Sequence, residues 1–282
     1  MQRTFLRWLA PAVCLALLWP STARANKATI AVLPFEVGAA QSPIETSVLI
    51  DAFNRVLVNS RKFTVVDRAR VDRTRREQKF GRSGLVSAAS AASVGRLLGA
   101  QFLVMGTLLD YTIEPPREMA YGSGWMRPVR ISVNVQVVDA SSGQIVAARR
   151  ASGLSQRRMP SRDSAAVVSG VDLEGAAEQV AESCVHAILD VAYPAKIVSV
   201  TGDQVRLNRG EGGGLGIGTI LNCYAAGRKL YDPDTKELLG SNDSLAGKVE
   251  VAEILPTMTV ARMLDGGQLQ AGDACRTDAA ES

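Results

Sequence analysis

The hydrophobic pattern of the chain changes at Pro194, and this change most limits the folds that are open to it. Before Pro194, short apolar runs such as Thr29–Phe35 alternate with segments in which apolar residues recur at helical spacing. After it, short strand-like runs follow one another, with turn residues between nearly every pair and no room for a helix. We therefore predict an α/β domain over 26–193 and a small antiparallel β domain, a barrel or a sandwich, over 194–282.

The order of elements in the first domain predicts its architecture. The patterns follow the order β-α-β-α-α-β-β-β-α, and two early helical crossovers followed by a hairpin indicate a mixed sheet with helices packed on it. The last helix carries an apolar stripe from Leu173 to Leu189. Two segments lack periodicity. We predict that Glu114–Pro128 is an exposed loop and that Leu154–Gly170 is a polar linker.

The first 25 residues have the organisation of a secretion signal. Arginines precede an apolar run of roughly 11 residues, which is too short to span a bilayer. Ala23 and Ala25 present the small side chains that a signal peptidase accepts. We predict a signal peptide over 1–25 with cleavage before Asn26, and the alternative is an uncleaved interfacial anchor.

Localisation and charge follow from this signal. Cys14 lies inside the apolar run and not directly after it, so we expect no lipid anchor and a mature chain in the periplasm. Cleavage removes three arginines and no acidic residue, so that 29 of the 32 basic residues remain against 28 acidic ones, a net charge of +1. A nucleic-acid partner is therefore not expected.

Three cysteines follow the signal, and an oxidising compartment permits one disulfide among them. Cys184 lies on the apolar stripe of the last helix, where an unpaired thiol behaves as a small buried hydrophobe. Cys223 and Cys275 are therefore the candidate disulfide. The alternative is that all three are buried thiols. No pair has the C-x-x-C spacing that is typical of zinc and redox sites.

The residues that enzymes and metal sites need are scarce. His186 is the only histidine, it falls on the polar face of the last helix, and we expect it to be solvated. The glycine cluster Gly210–Gly218 leads into a strand and contains no Gly-Lys-Ser/Thr, so we interpret it as a flexible hairpin connection and not as a phosphate loop. We predict a protein that is not an enzyme, with no catalytic residue, cofactor, metal or small-molecule substrate.

Four segments of the first domain together resemble the CsgG family of curli-assembly proteins. They are IAVLPF (Ile30–Phe35), FTVVDRARVDRTRREQKF (Phe63–Phe80), GRLLGAQFLVMGTL (Gly95–Leu108) and VVDASSGQIV (Val137–Val146). The tail, with LNRGEGGGLGIGTILNCY, LYDPDTKELLG and GDACR, resembles the C-terminal β domain of the flagellar assembly protein FlgT. The resemblance implies a CsgG/TolB-N-terminal-like α/β fold and a periplasmic role in envelope assembly, under the outer membrane.

The chain departs from a curli-type export channel in two respects. It lacks a lipidated cysteine, and it lacks inserted hairpins that would cross a membrane. Such hairpins need two stretches of about 9 to 11 residues that alternate apolar and polar side chains, and neither Glu114–Pro128 nor Ser155–Ser169 shows that alternation. We expect the fold to be shared and the pore to be absent.

Two surfaces are candidates for partner contact. The predicted loop carries side chains that are typical anchors of protein interfaces, namely Met119, Tyr121, Trp125 and Met126. Packing onto the domain's own surface is the alternative. A basic segment over 61–82 could meet an acidic partner, lipid headgroups or cell-wall polymer through Arg68, Arg75 and Lys79, or it could be a solvated helix face.

These observations predict a periplasmic scaffold or adaptor that assists assembly of an envelope structure through protein contacts. Self-association and peripheral contact with the outer membrane or peptidoglycan are compatible with it. Two alternatives stay open at this point. One is an oligomeric outer-membrane secretion component of the CsgG type, and the other is a regulator that docks on a peptidoglycan synthase.

Overall fold

The computed structural model describes residues 27–38, 46–77, 88–120, 124–162, 170–236, 238–265 and 267–277. The signal peptide predicted over 1–25 lies outside these residues. Among the helices of the described ranges, none combines the length and the apolar character that a bilayer crossing requires.

The described residues before Pro194 form a seven-stranded mixed sheet with helices on both faces, which confirms the predicted fold class. The strands are β1 (Ala28–Val32), β2 (Glu36–Val37), β3 (Phe63–Val65), β4 (Phe102–Ile113), β5 (Arg117–Glu118), β6 (Trp125–Asp139) and β7 (Ile145–Met159). The helices are α1 (Ser47–Asn59), α2 (Arg68–Glu77), α3 (Ala88–Leu98) and α4 (Gly170–Ala192).

The sheet has the order β3-β1-β4-β6-β5, with β2 beside β4 and β7 beside β6. The early strands are parallel because helices cross over between them, whereas β4, β6 and β7 are antiparallel. One face packs against α1 and α4, around buried residues such as Phe53, Val133 and Val180. The other packs against α2 and α3, around Val71 and Leu98. The sheet is therefore buried on two faces at its centre.

Helix α4 approaches β7 unusually closely. The predicted stripe from Leu173 to Leu189 is buried, which confirms that this face meets the core. A Cβ on Gly153 would overlap the carbonyl oxygen of Ala176, so the helix backbone lies directly on the strand. The Gln179 side-chain amide donates to the Leu154 carbonyl and accepts from its N–H, at 3.1 and 3.0 Å. The Gln179 side chain of α4 thus satisfies the backbone N–H and C=O of Leu154 on the outer edge of β7.

The prediction that Glu114–Pro128 is a loop is wrong, because β5 and the start of β6 lie within it and pair with each other. Pro128 is tolerated inside β6 for a geometric reason. Its carbonyl accepts from the Glu114 N–H at 3.0 Å, and the N–H and C=O of one strand residue point to the same side. The missing donor therefore faces the gap between β4 and β5, and the ladder to β7 is intact.

The prediction that Leu154–Gly170 is a linker is also wrong in its first part, since β7 continues to Met159. The consecutive polar side chains of Gln156 and Arg157 are both exposed, on opposite faces of the strand, so the strand shows no apolar alternation here. Backbone pairing with β6, in unbroken register from Trp125–Met159 to Val137–Ala147, holds the strand instead. A sequence window does not show such pairing, because it is non-local.

The described residues after Pro194 form a closed six-stranded antiparallel barrel, as one of the two predicted alternatives has it. Its strands are β8 (Ala195–Thr201), β9 (Gln204–Leu207), β10 (Ile220–Ala225), β13 (Ser244–Ile254), β14 (Thr259–Met263) and β15 (Ala274–Thr277). Strands β11 (Lys229–Tyr231) and β12 (Leu238–Ser241) form a separate hairpin. Side chains such as Leu207, Leu221 and Val249 fill the barrel interior.

A disulfide joins Cys223 of β10 to Cys275 of β15, where the two residues face each other in the register. This is the pair that the sequence analysis favours. Cys184 is the free cysteine of the described residues, and it is buried in α4. Burial raises the pKa of its thiol to about 12, against a weaker opposing effect of Arg149. The Cys184 thiol is therefore inert at neutral pH.

Candidate functional site

Strands β5, β6 and β7 end in an extension of the sheet that we call the arm. We define it as Arg117–Glu118, residues 125–128 of β6 and residues 156–159 of β7. The described contacts between α4 and β7 run from Arg149 to Ser155, so the arm lies past them. At its tip, between β5 and β6, the Met119 N–H donates to the Gly124 carbonyl at 2.8 Å.

Two rows of side chains cross the arm near its tip, one on each face. In the first, Arg117, Met126 and Arg158 are register partners on three adjacent strands. In the second, the partners are Glu118, Trp125 and Met159. Register partners share a face and successive residues alternate, so Trp125 and Met126 point to opposite sides. The structure therefore does not bring these two predicted contact residues onto one surface.

The two faces differ in chemistry. Met126 is half-buried between Arg117 and Arg158, and the Arg117 guanidinium makes an ion pair with the Glu114 carboxylate. On the opposite face, the Arg162 guanidinium lies 5.8 Å from the centre of the Trp125 ring, within cation–π range. Trp125 is thus partly covered by the chain itself, as the alternative in the sequence analysis has it. The Met126 face is the part of the arm that offers an apolar centre with a basic rim.

The other predicted contact residues are dispersed. Met119 is half-buried directly after β5. Tyr121 and Lys79 lie outside the described residues, and of Arg75 only its place in α2 is described. Arg68, at the start of α2, pairs with Asp51 at 3.2 Å. The two candidate surfaces do not meet. The register across β3, β1, β4 and β6 aligns Val65, just before α2, with Asp139. Asp139 is fourteen residues, or about 46 Å of strand, from Trp125.

A groove of about 310 Å³ lies between α4, β7 and the barrel. Arg209, from the loop after β9, is a buried residue, and only 3 % of its surface is exposed. Its Nη1 donates to the Asp190 carboxylate at 2.7 Å and its Nη2 to the Tyr193 carbonyl at 2.6 Å. The Lys62 ammonium likewise donates to the Asn208 carbonyl at 2.5 Å. These bonds attach the barrel to the end of α4 and the end of α1.

His186 lies in this groove, so the prediction that it is solvated is not what the structure shows. A Cβ on Gly214 would lie 2.5 Å from the imidazole Cδ2, and Gly214 has a φ of +82°. Only glycine combines this backbone with so close an approach. Burial lowers the pKa of His186, and the Arg209 and Arg149 charges add to that effect while Asp190 opposes it. The neutral imidazole is therefore the favoured form.

The glycine cluster is likewise different from the prediction. It connects β9 to β10, which are not neighbours in the barrel order, so it is a crossing and not a hairpin connection. Gly212 packs on the carbonyl of Asn59 at the end of α1, and Gly214 packs on His186. The glycines are needed because this loop passes between the barrel and the helices at backbone distance.

Sequence reasoning missed the residues that matter in both places. Arg117 and Arg158 were assigned to a loop and a linker, although small residues at Ala151, Gly153 and Ser155 continue a period of two into the missed strand. Arg149 and Arg209 are 60 positions apart, and no local signal connects them. Among the described side chains, no group of three potential ligands is placed to hold a metal ion.

Solved structures give distant likenesses. The hypothetical protein CT253 from Chlamydia trachomatis matches at 15 % identity and a TM-score of 0.39, over 58 % of this chain and 97 % of that chain. The C-terminal domain of LpoB from Salmonella enterica matches at 12 % and 0.34, over 46 % and 85 %. The PelC dodecamer from Paraburkholderia phytofirmans matches at 9 % and 0.32, over 55 % and 86 %. No curated protein matches the chain.

The family comparison is far stronger. The family described as the curli production assembly/transport component CsgG matches residues 21–202, which is more than half of the chain. The match includes the whole mixed sheet, the four described helices and the arm. We conclude that this chain belongs to the CsgG family.

Proposed function

We propose that this chain is a non-enzymatic scaffold or adaptor of the periplasm, which assists assembly of a cell-envelope structure through protein contacts made by its arm. The single observation that carries the proposal is the Met126 face, where a half-buried apolar side chain is flanked by Arg117 and Arg158. Methionine and arginine are enriched at protein interfaces. Membership of a family of assembly and transport components supports the same role.

One further observation supports the periplasmic location. A disulfide in the barrel suits an oxidising compartment, which the periplasm is. We also propose that 26–193 and 194–282 are separate domains, with the barrel steadying the end of α4 while the arm, at the other end of the long strands, binds the partner. The likeness of the barrel to the flagellar assembly protein FlgT stays a prediction.

We expect a photo-crosslinking amino acid in place of Met126 to trap an envelope protein in intact cells. The matched control is Met258, which is 36 % exposed in the turn between β13 and β14 of the barrel. The adduct from position 126 should be several-fold stronger than that from position 258, because only the first lies on the arm. Mass spectrometry of the adduct identifies the neighbour.

The identity of the trapped neighbour decides between the functions. An assembly protein of the envelope supports the scaffold. A second copy of this chain, together with rings in detergent, supports instead the oligomeric secretion component. Equal adducts at both positions, or an adduct at position 258 alone, would contradict a role of the arm.

The predicted export gives an independent expectation. Mass spectrometry of the periplasmic fraction should find a chain that starts at Asn26, and Ala25→Tyr should accumulate uncut precursor because the peptidase pocket accepts only a small side chain there. A cytosolic chain with its first 25 residues attached would refute the proposed location.

A further inference from the structure

The groove between α4, β7 and the barrel is lined by three arginines that come from three separate parts of the fold. Arg149 belongs to β7, Arg209 to the loop after β9, and Arg276 to β15. Asp190 is the one carboxylate among the described residues that line it. His186 favours its neutral form and does not add to the charge. The lining of the groove is therefore electropositive.

The Asp190 carboxylate does not neutralise this excess. It is already 2.7 Å from Nη1 of Arg209, and its side chain is 55 % exposed, so its charge is matched by one arginine and screened by solvent. Arg149 donates from Nε to the neutral Ser183 hydroxyl at 3.2 Å. The Arg276 guanidinium lies 3.5 Å from the Asp243 carboxylate and 5.7 Å from the centre of the Tyr224 ring, while 61 % of its side chain is exposed. Arg149 thus has capacity for a further anion, and the exposed Arg276 side chain adds positive charge beside it.

Arg209 adds an observation that points to a ligand. Its side chain is 4 % exposed, and the Nε N–H is buried without an acceptor among the described residues. Buried donors are almost always paired, and an unpaired one is costly. Its two other nitrogen atoms are held by Asp190 and Tyr193, so the guanidinium is fixed in orientation. Because this N–H is closed to solvent, an acceptor oxygen would reach it from the groove only with a shift of the groove lining.

We propose that this groove is a binding site for an oxyanion, the carboxylate or phosphate group of a small ligand. Arg149 and Arg276 supply the charge, fixed Arg209 brings a buried donor that lacks an acceptor, and Thr219 and Thr277 line the same space. A volume of about 310 Å³ is at the small end of ligand sites, which suits a compact anion.

The site has a mechanical consequence. Arg149 lies in the sheet and Arg276 in the barrel, so an anion bound by both would connect the two parts of the chain. A ligand that binds only the folded state stabilises it by an amount that rises with the logarithm of ligand concentration above the dissociation constant, and here it would also restrict movement of the barrel against α4. The inference does not depend on the arm or on the proposed scaffold role.

The test is calorimetric titration of the full mature chain with inorganic phosphate and, separately, with citrate. Ionic strength is kept constant with sodium chloride, so that non-specific screening is the same throughout. We expect saturable binding of one anion per chain with a dissociation constant on the order of 1 to 10 mM. The anion that binds more tightly shows whether the site prefers phosphate or carboxylate.

The decisive variant is Arg149→Gln, and its control is Arg150→Gln, the next residue of β7. Both remove one positive charge, but Arg150 is exposed on the other face of the strand. Losing a charge-assisted hydrogen bond should weaken binding by at least about tenfold in the first variant, while the second should stay within about twofold. Arg276→Gln, in the barrel, should also weaken binding about tenfold. It replaces Arg149→Gln as the test if that variant misfolds.

Three results would overturn the inference. The first is that neither anion shows saturable binding up to about 100 mM, a concentration well above the expected dissociation constant. The second is equal weakening by Arg149→Gln and Arg150→Gln, which would indicate a diffuse ionic effect. The third is unchanged binding in Arg276→Gln when its unfolding transition shows that the variant is folded.

Discussion

Replacing Gly153 by alanine is expected to lower the free energy of unfolding of the α/β part by at least about 3 kcal/mol. The added Cβ would overlap the Ala176 carbonyl oxygen and lie 2.8 Å from its carbonyl carbon. The obstacle is helix backbone, and no side-chain rotamer can relieve it. Helix α4 would have to move off β7, which would open the core that Val180 and Leu189 fill.

The measurement is urea unfolding followed by tryptophan fluorescence. Trp125 is the one tryptophan after the predicted cleavage site, so the signal reports the α/β part alone. Gly175→Ala is the matched control, because its Cβ would lie 3.3 Å from the Ser155 hydroxyl oxygen, a side-chain atom that can rotate away. That variant should be neutral or about 1 kcal/mol more stable, since alanine favours helix.

A double variant separates backbone from side-chain conflict. If the clash is with the Ala176 backbone, Gly153→Ala combined with Ala176→Gly should be no more stable than Gly153→Ala alone. A full rescue, or a cost below about 1 kcal/mol for the single variant, would show that α4 does not lie on β7 as closely as described.

Removal of the disulfide is expected to cost the barrel about 2 to 4 kcal/mol of unfolding free energy. The bond joins residues separated by 52 positions, so its loss frees a long loop in the unfolded chain. It also joins β10 to β15, one of the pairs that close the barrel. The change is Cys223→Ala with Cys275→Ala, which keeps small apolar side chains at two buried positions.

Reductant provides the control within the same experiment. In urea unfolding followed by circular dichroism, dithiothreitol should lower the wild-type midpoint to about that of the double variant and leave the double variant unchanged. Cys184→Ala should retain the full response to reductant, because the buried Cys184 thiol is protonated and takes no part in exchange. A wild-type midpoint that ignores reductant would contradict a bonded pair.

Buried faces and turns are visible in local sequence patterns, whereas strand pairing is not. Local sequence pattern is enough to predict the apolar stripe of α4 and the strands around Val133 and Val205, because each is buried at a regular spacing. It also predicts the end of α3 at Gly99, which has a φ of +67°. The cap of α2 is also local, since the Asp67 carboxylate accepts from the Ala69 N–H at 2.9 Å.

The arm shows none of the local sequence signals that are typical of a strand. Its residues are polar on one or both faces, and prolines at 115, 116 and 128 indicate a loop to any window-based analysis. Strand β6 nevertheless continues through Pro128, because β7 holds it on one side and the proline's missing donor faces a gap on the other. Only the neighbouring strands make this segment a strand.

By itself the sequence determined the class of both parts, the order of the helices and the longer strands, the buried faces of the helices and the cysteines free to pair, but not the short strands β2, β5, β12 and β15. Those features depend on hydrophobic periodicity and on side chains that act within a turn or two. Tertiary structure alone decided that Trp125 and Met126 face apart, that Arg68 is distant from both, and that Arg149, Arg209 and Arg276 share one groove. The physical reason is that strand pairing and domain contact are made between residues far apart in the chain.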